Sequence, residues 1–264
     1  MEPRRTKALA LIAVLFLSAA YVPVAAEGGA GPDRDAAVVL EAVVDNWRGG
    51  PFVGTYTFAV ERPGRVTEYV MQIVTDGDER SLIRVIAPPR EAGQAFLMNG
   101  SELWMYNARL GRSLRLPPSG RSGAFLGSDV SYSDLAGRDF ETDYTVAFSS
   151  TDTTAAEDPA TTVVLELIPK PGAPTPYGRV LIGVDATSLT PRWIDYYDQR
   201  DQVVKHLALS DYLETGDRRL PRQMVVDDRT RGGYRTVIRL ADVQLDAPVP
   251  DACFTIQALE RGCL

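Results

Sequence analysis

The pattern of apolar and polar residues predicts one helix followed by many short strands. From Asp33 onward, apolar side chains recur at helical spacing and form one stripe, which consists of Ala36, Val39, Leu40, Val43, Val44 and Trp47. Asp33 is the predicted N-cap, and Gly49-Gly50-Pro51 is expected to end the helix. Such a stripe fits either a helix packed on a core or a lid over a cavity.

Beyond this helix, runs rich in Val, Ile, Tyr, Phe and Thr alternate with turn residues. They predict strands at 52–61, 66–75, 81–86, 95–99, 103–107, 144–148, 161–168, 179–185, 192–197, 202–210, 222–226 and 234–245. Tight turns such as Arg62-Pro63-Gly64 and Asn99-Gly100 favour antiparallel pairing in a sandwich or a barrel. The polar stretch 151–160 is predicted to be a solvated loop. We therefore expect a mainly β fold with few helices.

One segment, residues 123–140, interrupts the series of strands. It carries aromatic and aliphatic side chains among Gly, Ser and Asp, and it follows a Pro-Pro connector. Ser131 and Asp134 have the spacing of a capping box, which predicts a short helix that Gly137 would end. The segment is expected either to fold over one face of the sheet or to plug one end of a barrel.

The N-terminus has the pattern of a cleavable secretory signal at residues 1–26. Three positive charges precede an apolar stretch of about 13 residues, which is too short to span a bilayer. Small residues then stand at Val24 and Ala26, the −3 and −1 positions of a cleavage site. We expect a flexible joint at 27–32 and a single domain at 33–264, which would be soluble outside the cytoplasm.

The first prediction concerns this processing. We expect the exported protein to begin at Glu27 and to carry no lipid, because no Cys follows the apolar stretch. An intact-mass measurement of the exported protein checks both points. Retention of residues 1–26 on the exported chain would contradict the interpretation as a signal peptide.

The net charge of the chain bears on the kind of partner it binds. The formal net charge is −7, and it becomes −9 once residues 1–26, which carry +2, are removed. A nucleic-acid partner is therefore not expected, since such binding needs many phosphate-neutralising cations.

The two cysteines are expected to form a disulfide. Export to an oxidising compartment favours a bridge between Cys253 and Cys263 over two free thiols. That bridge would close a short terminal loop and could not staple the whole fold.

Candidate catalytic chemistry is sparse. The sequence contains no G-x-S-x-G, P-loop, G-x-G-x-x-G or H-E-x-x-H motif, and its single histidine, His206, lies in a predicted strand. We therefore predict a protein that is not an enzyme and that uses no metal or cofactor. A secreted hydrolase that depends on His206 and nearby acidic residues is the alternative from another class.

Apolar and aromatic residues are in surplus in the middle strands. In several runs both alternating faces are apolar, with Leu103 and Met105 on one face and Trp104 and Tyr106 on the other. A helix could cover one face and a bound apolar ligand or partner the other. An ordinary hydrophobic core is the competing interpretation.

The order of motifs resembles the outer-membrane lipoprotein-sorting protein family, a LolA-like group of periplasmic carriers. The residues that carry the resemblance are Phe125-Leu126-Gly127-Ser128-Asp129, Ser131-Tyr132, Asp134-Leu135, Leu167-Ile168-Pro169-Lys170, Val203-Val204-Lys205, Arg219-Leu220-Pro221 with Met224, Phe254-Thr255 and Leu259-Glu260-Arg261. The similarity runs from about Asp33 to Arg261, with the stretch 151–160 and the two cysteines as departures from it.

The resemblance implies a half-open antiparallel β-barrel with helices covering its concave apolar face. It also implies a periplasmic carrier that shields lipoprotein acyl chains on the way to the outer membrane, without chemistry. The expected partners are lipoprotein acyl chains or other lipid, an inner-membrane transporter and an outer-membrane acceptor. A carrier of free lipid working with a membrane exporter is the alternative. The candidate cavity and lid residues are Val39, Leu40, Val43, Trp47, Met71, Phe96, Met98, Trp104, Tyr106, Phe125, Leu126, Tyr132 and Leu135.

Overall fold

The computed structural model describes residues 35–48, 50–77, 79–100, 102–135, 140–149, 161–215 and 218–263. The predicted signal peptide, the joint at 27–32, the Asp33 cap, Gly137 and the stretch 151–160 lie outside these residues. In the described part of the chain, no helix is both long and apolar enough to cross a membrane.

Thirteen antiparallel strands form one sheet across the described residues. Their bounds are β1 Phe52–Arg62, β2 Arg65–Thr75, β3 Arg80–Ala87, β4 Ala95–Asn99, β5 Glu102–Asn107, β6 Arg112–Arg115, β7 Tyr144–Phe148, β8 Thr162–Pro169, β9 Arg179–Asp185, β10 Pro191–Tyr197, β11 Val203–Thr215, β12 Arg218–Asp228 and β13 Arg235–Leu245. The spatial order is β6-β5-β4-β3-β2-β1-β13-β12-β11-β10-β9-β8-β7. β1 and β13, the first and last strands along the chain, pair with each other, and β6 and β7 form the two edges of the sheet. The sheet is therefore an open barrel, and the predicted mainly β class with few helices is confirmed.

The sequence pattern missed one strand and shortened two others. β6 has four residues, two of them Arg, so it carries too little alternation to be recognised alone. It forms because it pairs with β5, from Trp104 opposite Arg115 to Asn107 opposite Arg112. β11 and β12 extend beyond their predicted ends and pair from Lys205–Asp228 to Thr215–Arg218.

Helix α1, Ala36–Arg48, packs its apolar stripe on one face of the sheet, which we call the inner face. The described part of the helix has its cap at Asp35, whose Oδ1 accepts a hydrogen bond of 3.0 Å from the amide of Ala37. Asp35 stands directly before the first helical residue, whereas Asp33, the predicted cap, lies outside the described residues. The helix ends at Arg48, immediately before Gly49, as predicted.

The segment between β6 and β7 also lies on the inner face. It contains two short 3₁₀ turns, Pro118–Gly120 and Phe125–Gly127, and two single-turn helices, α2 Tyr132–Leu135 and α3 Phe140–Asp143. The predicted capping box is present: the Ser131 amide donates to Asp134 Oδ2 at 2.8 Å, and the Asp134 amide donates to Ser131 Oγ at 3.2 Å.

The opposite, outer face of β3–β5 is covered by the C-terminus of the chain. A 3₁₀ turn, Asp251–Phe254, and helix α4, Ile256–Arg261, bury Leu82 and Leu97 under Phe254 and Leu259. Arg84 Nη2 donates to the carbonyl oxygens of Ala258 and Leu259 at 2.9 and 2.8 Å. Cys253 and Cys263 form the predicted disulfide, which ties the two ends of this C-terminal cap together.

The second prediction concerns this disulfide. We expect the folded protein to show no titratable thiol, and reduction to lower the free energy of unfolding by about 3 kcal/mol at most, because the closed loop is short. Thiol titration without denaturant, followed by urea unfolding with and without reductant, checks both values. Full reaction of both cysteines in the untreated protein would contradict the prediction.

Candidate functional site

A cavity of about 270 Å³ lies between the inner face of the sheet, α1 and the α2–α3 region. Its wall is apolar except for a few polar groups. The lining residues are Val44, Trp47, Tyr56, Phe58, Met71, Ile73, Ser81, Ile83, Val130, Asp134, Leu135, Phe140, Tyr196, Lys205, Leu207, Met224, Val226 and Ile238. We call this space the inner cavity.

Strand alternation explains which residues form the wall. The lining side chains stand two apart on each of several strands, as in Met71 and Ile73 on β2 and Met224 and Val226 on β12. The wall thus draws on strands from both halves of the sheet. Burial raises the pKa of one wall residue, Tyr56, to about 12, so its hydroxyl stays neutral at physiological pH.

Helix α1 closes one side of the cavity with its C-terminal half. Val44 and Trp47 reach the cavity, while the earlier stripe residues pack into the surrounding core. Asn46 Nδ2 donates to the carbonyl oxygens of Ser188 and Leu189, at 3.3 and 3.2 Å, in the connection between β9 and β10. These bonds tie the end of the helix to the far half of the sheet.

The Phe125–Asp129 motif anchors the segment on the other side of the cavity. Phe125 is fully buried, and its ring centroid lies 4.8 Å from that of Phe96 and 5.8 Å from that of Phe58. The Tyr132 ring packs edge-on against it at 5.7 Å. The aromatic group therefore fixes the start of the segment against β1 and β4.

A buried ion pair holds the end of the same motif. The guanidinium of Arg62 donates to Asp129 Oδ2 at 2.8 Å and to the Gly127 carbonyl at 2.6 Å. Asp129 has a side chain only 1% exposed, and it also accepts a hydrogen bond of 2.8 Å from the Thr236 hydroxyl. Gly127 adopts a positive φ of 72°, which a residue with a side chain adopts at a cost. The two residues of the motif thus have separate structural roles: Gly127 permits the positive φ, and Asp129 pairs with Arg62.

A second ion pair lies in the wall of the inner cavity itself. Lys205 Nζ on β11 is 2.6 Å from Asp134 Oδ2 on α2, and both side chains are 15% exposed. The same Nζ lies 5.6 Å from the ring centroids of Tyr177 and Tyr196. Aromatic faces attract an ammonium group, so the lysine is held from several sides.

The predicted cavity residues divide into three groups. Trp47, Met71 and Leu135 line the inner cavity. Eight others belong to the apolar cluster around it; these are Val39, Leu40, Val43, Phe96, Met98, Phe125, Leu126 and Tyr132.

Trp104 and Tyr106 form the third group and require a correction. They stand on the outer face of β5 and pack with the C-terminal cap. The prediction that Trp104 borders the same cavity as Trp47 is therefore wrong. Alternation places Leu103 and Met105 on the inner face, so their neighbours must point outward.

Sequence reasoning missed the wall residues of β11–β13. Leu207, Met224, Val226 and Ile238 line the cavity, although the candidates had come from the first half of the chain. A signal existed, since apolar residues recur two apart on these strands, as Met224 and Val226 do on β12. What was lacking was the pairing of β1 with β13, which brings them beside Met71.

His206 lies apart from the cavity wall. Its neighbours Lys205 and Leu207 face the cavity, so the imidazole points to the outer face. There His206 Nδ1 lies 2.6 Å from Asp195 Oδ1 on the adjacent strand. In the described ranges, no group of three or more His, Cys, Asp or Glu residues could hold a metal ion.

Comparison with solved structures identifies the fold. A protein from Vibrio parahaemolyticus, described as an outer membrane lipoprotein-sorting protein domain, superposes with a TM-score of 0.75 at 21% identity, covering 86% of this chain and 98% of that one. A DUF1329 family protein from Desulfovibrio piger gives 0.75 at 26% identity, covering 85% and 96%. A LolA superfamily protein from Nitrosomonas europaea gives 0.68 at 24% identity, covering 84% and 98%.

Sequence comparison identifies the family to which this chain belongs. Among curated proteins, none matches the chain significantly. A family model with the description "Uncharacterized protein" matches residues 77–261, which is more than half of the chain. This protein therefore belongs to that family, and its fold is the LolA-like fold of outer-membrane lipoprotein-sorting proteins.

Proposed function

We propose that this protein is a periplasmic carrier that shields acyl chains in the inner cavity during transfer toward the outer membrane, without chemistry. The observation that carries the proposal is the apolar cavity bordered by α1 and the α2–α3 region. The fold of the outer-membrane lipoprotein-sorting domain supports the same role. An inner-membrane transporter and an outer-membrane acceptor would be the corresponding donor and receiver.

The energetics suit reversible binding. Burying an acyl chain gains about 0.8 kcal/mol per CH₂ group. Helix α1 and the α2–α3 region contact the cavity through Trp47, Leu135 and Phe140. Moving these helices away from the sheet would therefore expose apolar side chains to water. That cost offsets part of the gain, and the carrier can release what it binds.

Cargo size separates lipoprotein from free lipid. A cavity of about 150 Å³ holds one benzene, so the inner cavity, at about 270 Å³, holds about ten carbon atoms as it stands. A lipoprotein with several acyl chains would require α1 and the α2–α3 region to move apart. A single-chain free lipid would need a smaller change, and this volume is the reason to keep free lipid as a second candidate.

Native mass spectrometry of the protein purified from its host tests the proposal. A bound acylated peptide would support the lipoprotein carrier, and a bound small lipid would support the second candidate. A fluorescent fatty-acyl probe should then bind the delipidated, refolded protein and compete with that cargo. If the refolded protein binds no acyl probe, the carrier proposal fails. Turnover of an ester substrate that His206→Ala abolishes would favour the hydrolase instead.

A further inference from the structure

We propose that Lys205 forms a subsite for the anionic headgroup of a single-chain amphiphile, and that the ligand's carboxylate or phosphate displaces Asp134 from it. The inference rests on the second candidate above, the carrier of free lipid, and specifies the headgroup of its ligand. It assigns a binding role to the charged pair in an otherwise apolar wall.

Lys205 lies where two cavities meet. Together with Val130, it lines both the inner cavity and a second cavity of about 250 Å³. The second cavity has polar groups in its wall, among them Ser131, Arg231 and the carboxylates of Asp129 and Asp228. Asp129 pairs with Arg62 and Asp228 with Arg231, which leaves Lys205 as the cation for an incoming anion. An acyl chain in the inner cavity would therefore place its polar end beside the Lys205 ammonium, with room for a headgroup beyond it.

The two members of the ion pair are held differently. Lys205 belongs to β11, which pairs with β10 on one side and β12 on the other, and its ammonium lies near two tyrosine rings. Asp134 belongs to the single-turn helix α2, outside the sheet. The cation is thus the fixed member, and the carboxylate is the member that a ligand anion would replace.

Displacement would also loosen the segment beside the cavity. Asp134 Oδ2 accepts hydrogen bonds from both Lys205 Nζ and the Ser131 amide, so the ion pair and the capping box share one oxygen. A ligand carboxylate at Lys205 keeps the ammonium paired, and the cost of the exchange falls on Asp134, which loses this cation and is only 15% exposed unless α2 moves. Binding of the headgroup would therefore free α2 without leaving Lys205 unpaired.

The test compares dodecanoate, dodecyl phosphate and dodecanol, which share a chain and differ in the headgroup. We expect at least one anion to bind the delipidated protein about tenfold more tightly than dodecanol, as a charged hydrogen bond allows. Whether dodecanoate or dodecyl phosphate binds more tightly distinguishes a fatty acid from a phospholipid-type headgroup. Displacement of a fluorescent acyl probe gives the affinities.

Three variants sharpen the result. Lys205→Met should remove the preference for the anion but keep dodecanol binding, whereas Asp134→Asn should strengthen anion binding by about tenfold because the competing carboxylate is gone. Arg200→Met, which removes a positive charge from the exposed β10–β11 turn, is the matched control and should change neither affinity. Equal binding of all three compounds to the wild-type protein would overturn the headgroup subsite while leaving the carrier in place. Binding of none would overturn both.

Discussion

Replacing Asp129 with Ala is expected to lower the free energy of unfolding by about 3 kcal/mol. The carboxylate is 1% exposed and pairs with Arg62, whose own side chain is only 18% exposed. Removing one partner of a buried ion pair leaves the other charge desolvated and uncompensated, which costs about 3 to 5 kcal/mol. The partial exposure of Arg62 favours the lower end of that range.

Urea unfolding followed by circular dichroism measures this loss. Asp251→Ala is the matched control, since Asp251 forms an ion pair of similar length with Arg80, 2.9 Å against 2.8 Å, but is 88% exposed. Exposed pairs contribute little to stability, so the control should be close to wild type. Similar losses in both variants would show that the Arg62 pair does not anchor the Phe125–Asp129 motif.

Local sequence rules predicted the local structure well. The apolar stripe from Ala36 to Trp47 lies on helix α1, and Ser131 and Asp134 form the predicted capping box. Both features depend on residues within a few positions of each other, where spacing alone fixes the geometry. Both Asp33 and Asp35 stand before this helix, and spacing alone did not show that Asp35 accepts the hydrogen bond from the Ala37 amide.

The candidate site was harder to predict because both faces of β4 and β5 are apolar. Alternation groups Trp104 with Tyr106, but it does not say which face points inward. The outer face is covered by α4, a helix in a tail that the sequence suggested only as a disulfide loop. A bound ligand is therefore not needed to explain that apolar surface.

The ion pairs at the site joined residues far apart in sequence. Arg62 and Asp129 are separated by 67 positions, and Asp134 and Lys205 by 71. Neither pair could be inferred before the order of strands was known. The resemblance to the LolA-like group had singled out Asp129, Asp134 and Lys205, but not what each of them contacts.

Burial also changes how the cavity should be tested. Val43 was a lid candidate, yet it is only 1% exposed and packs in the core rather than in the cavity wall. A charge at Val43 would damage folding whether or not an acyl chain binds. A sharper test changes a wall residue without burying a new polar group.

Replacing Val226 with Trp is such a change. We expect it to weaken acyl-probe binding by at least about tenfold, because the indole would exclude more than one CH₂ group of the probe from the cavity. Val226 is buried on β12 and lines the inner cavity. An indole there would occupy space that the inner cavity leaves empty. The fold should survive, because the added apolar atoms fill a void instead of overpacking a filled core.

The neighbouring residue supplies the control. Val225→Trp makes the same substitution one position earlier on β12, where alternation turns the side chain to the outer face. Probe fluorescence gives the two affinities, and near-ultraviolet circular dichroism confirms that both variants keep native packing. Binding lost in Val226→Trp and kept in Val225→Trp would locate the acyl chain in the inner cavity. If both variants bind as the wild type does, the acyl chain lies elsewhere, and the apolar wall is an ordinary core with an unfilled space.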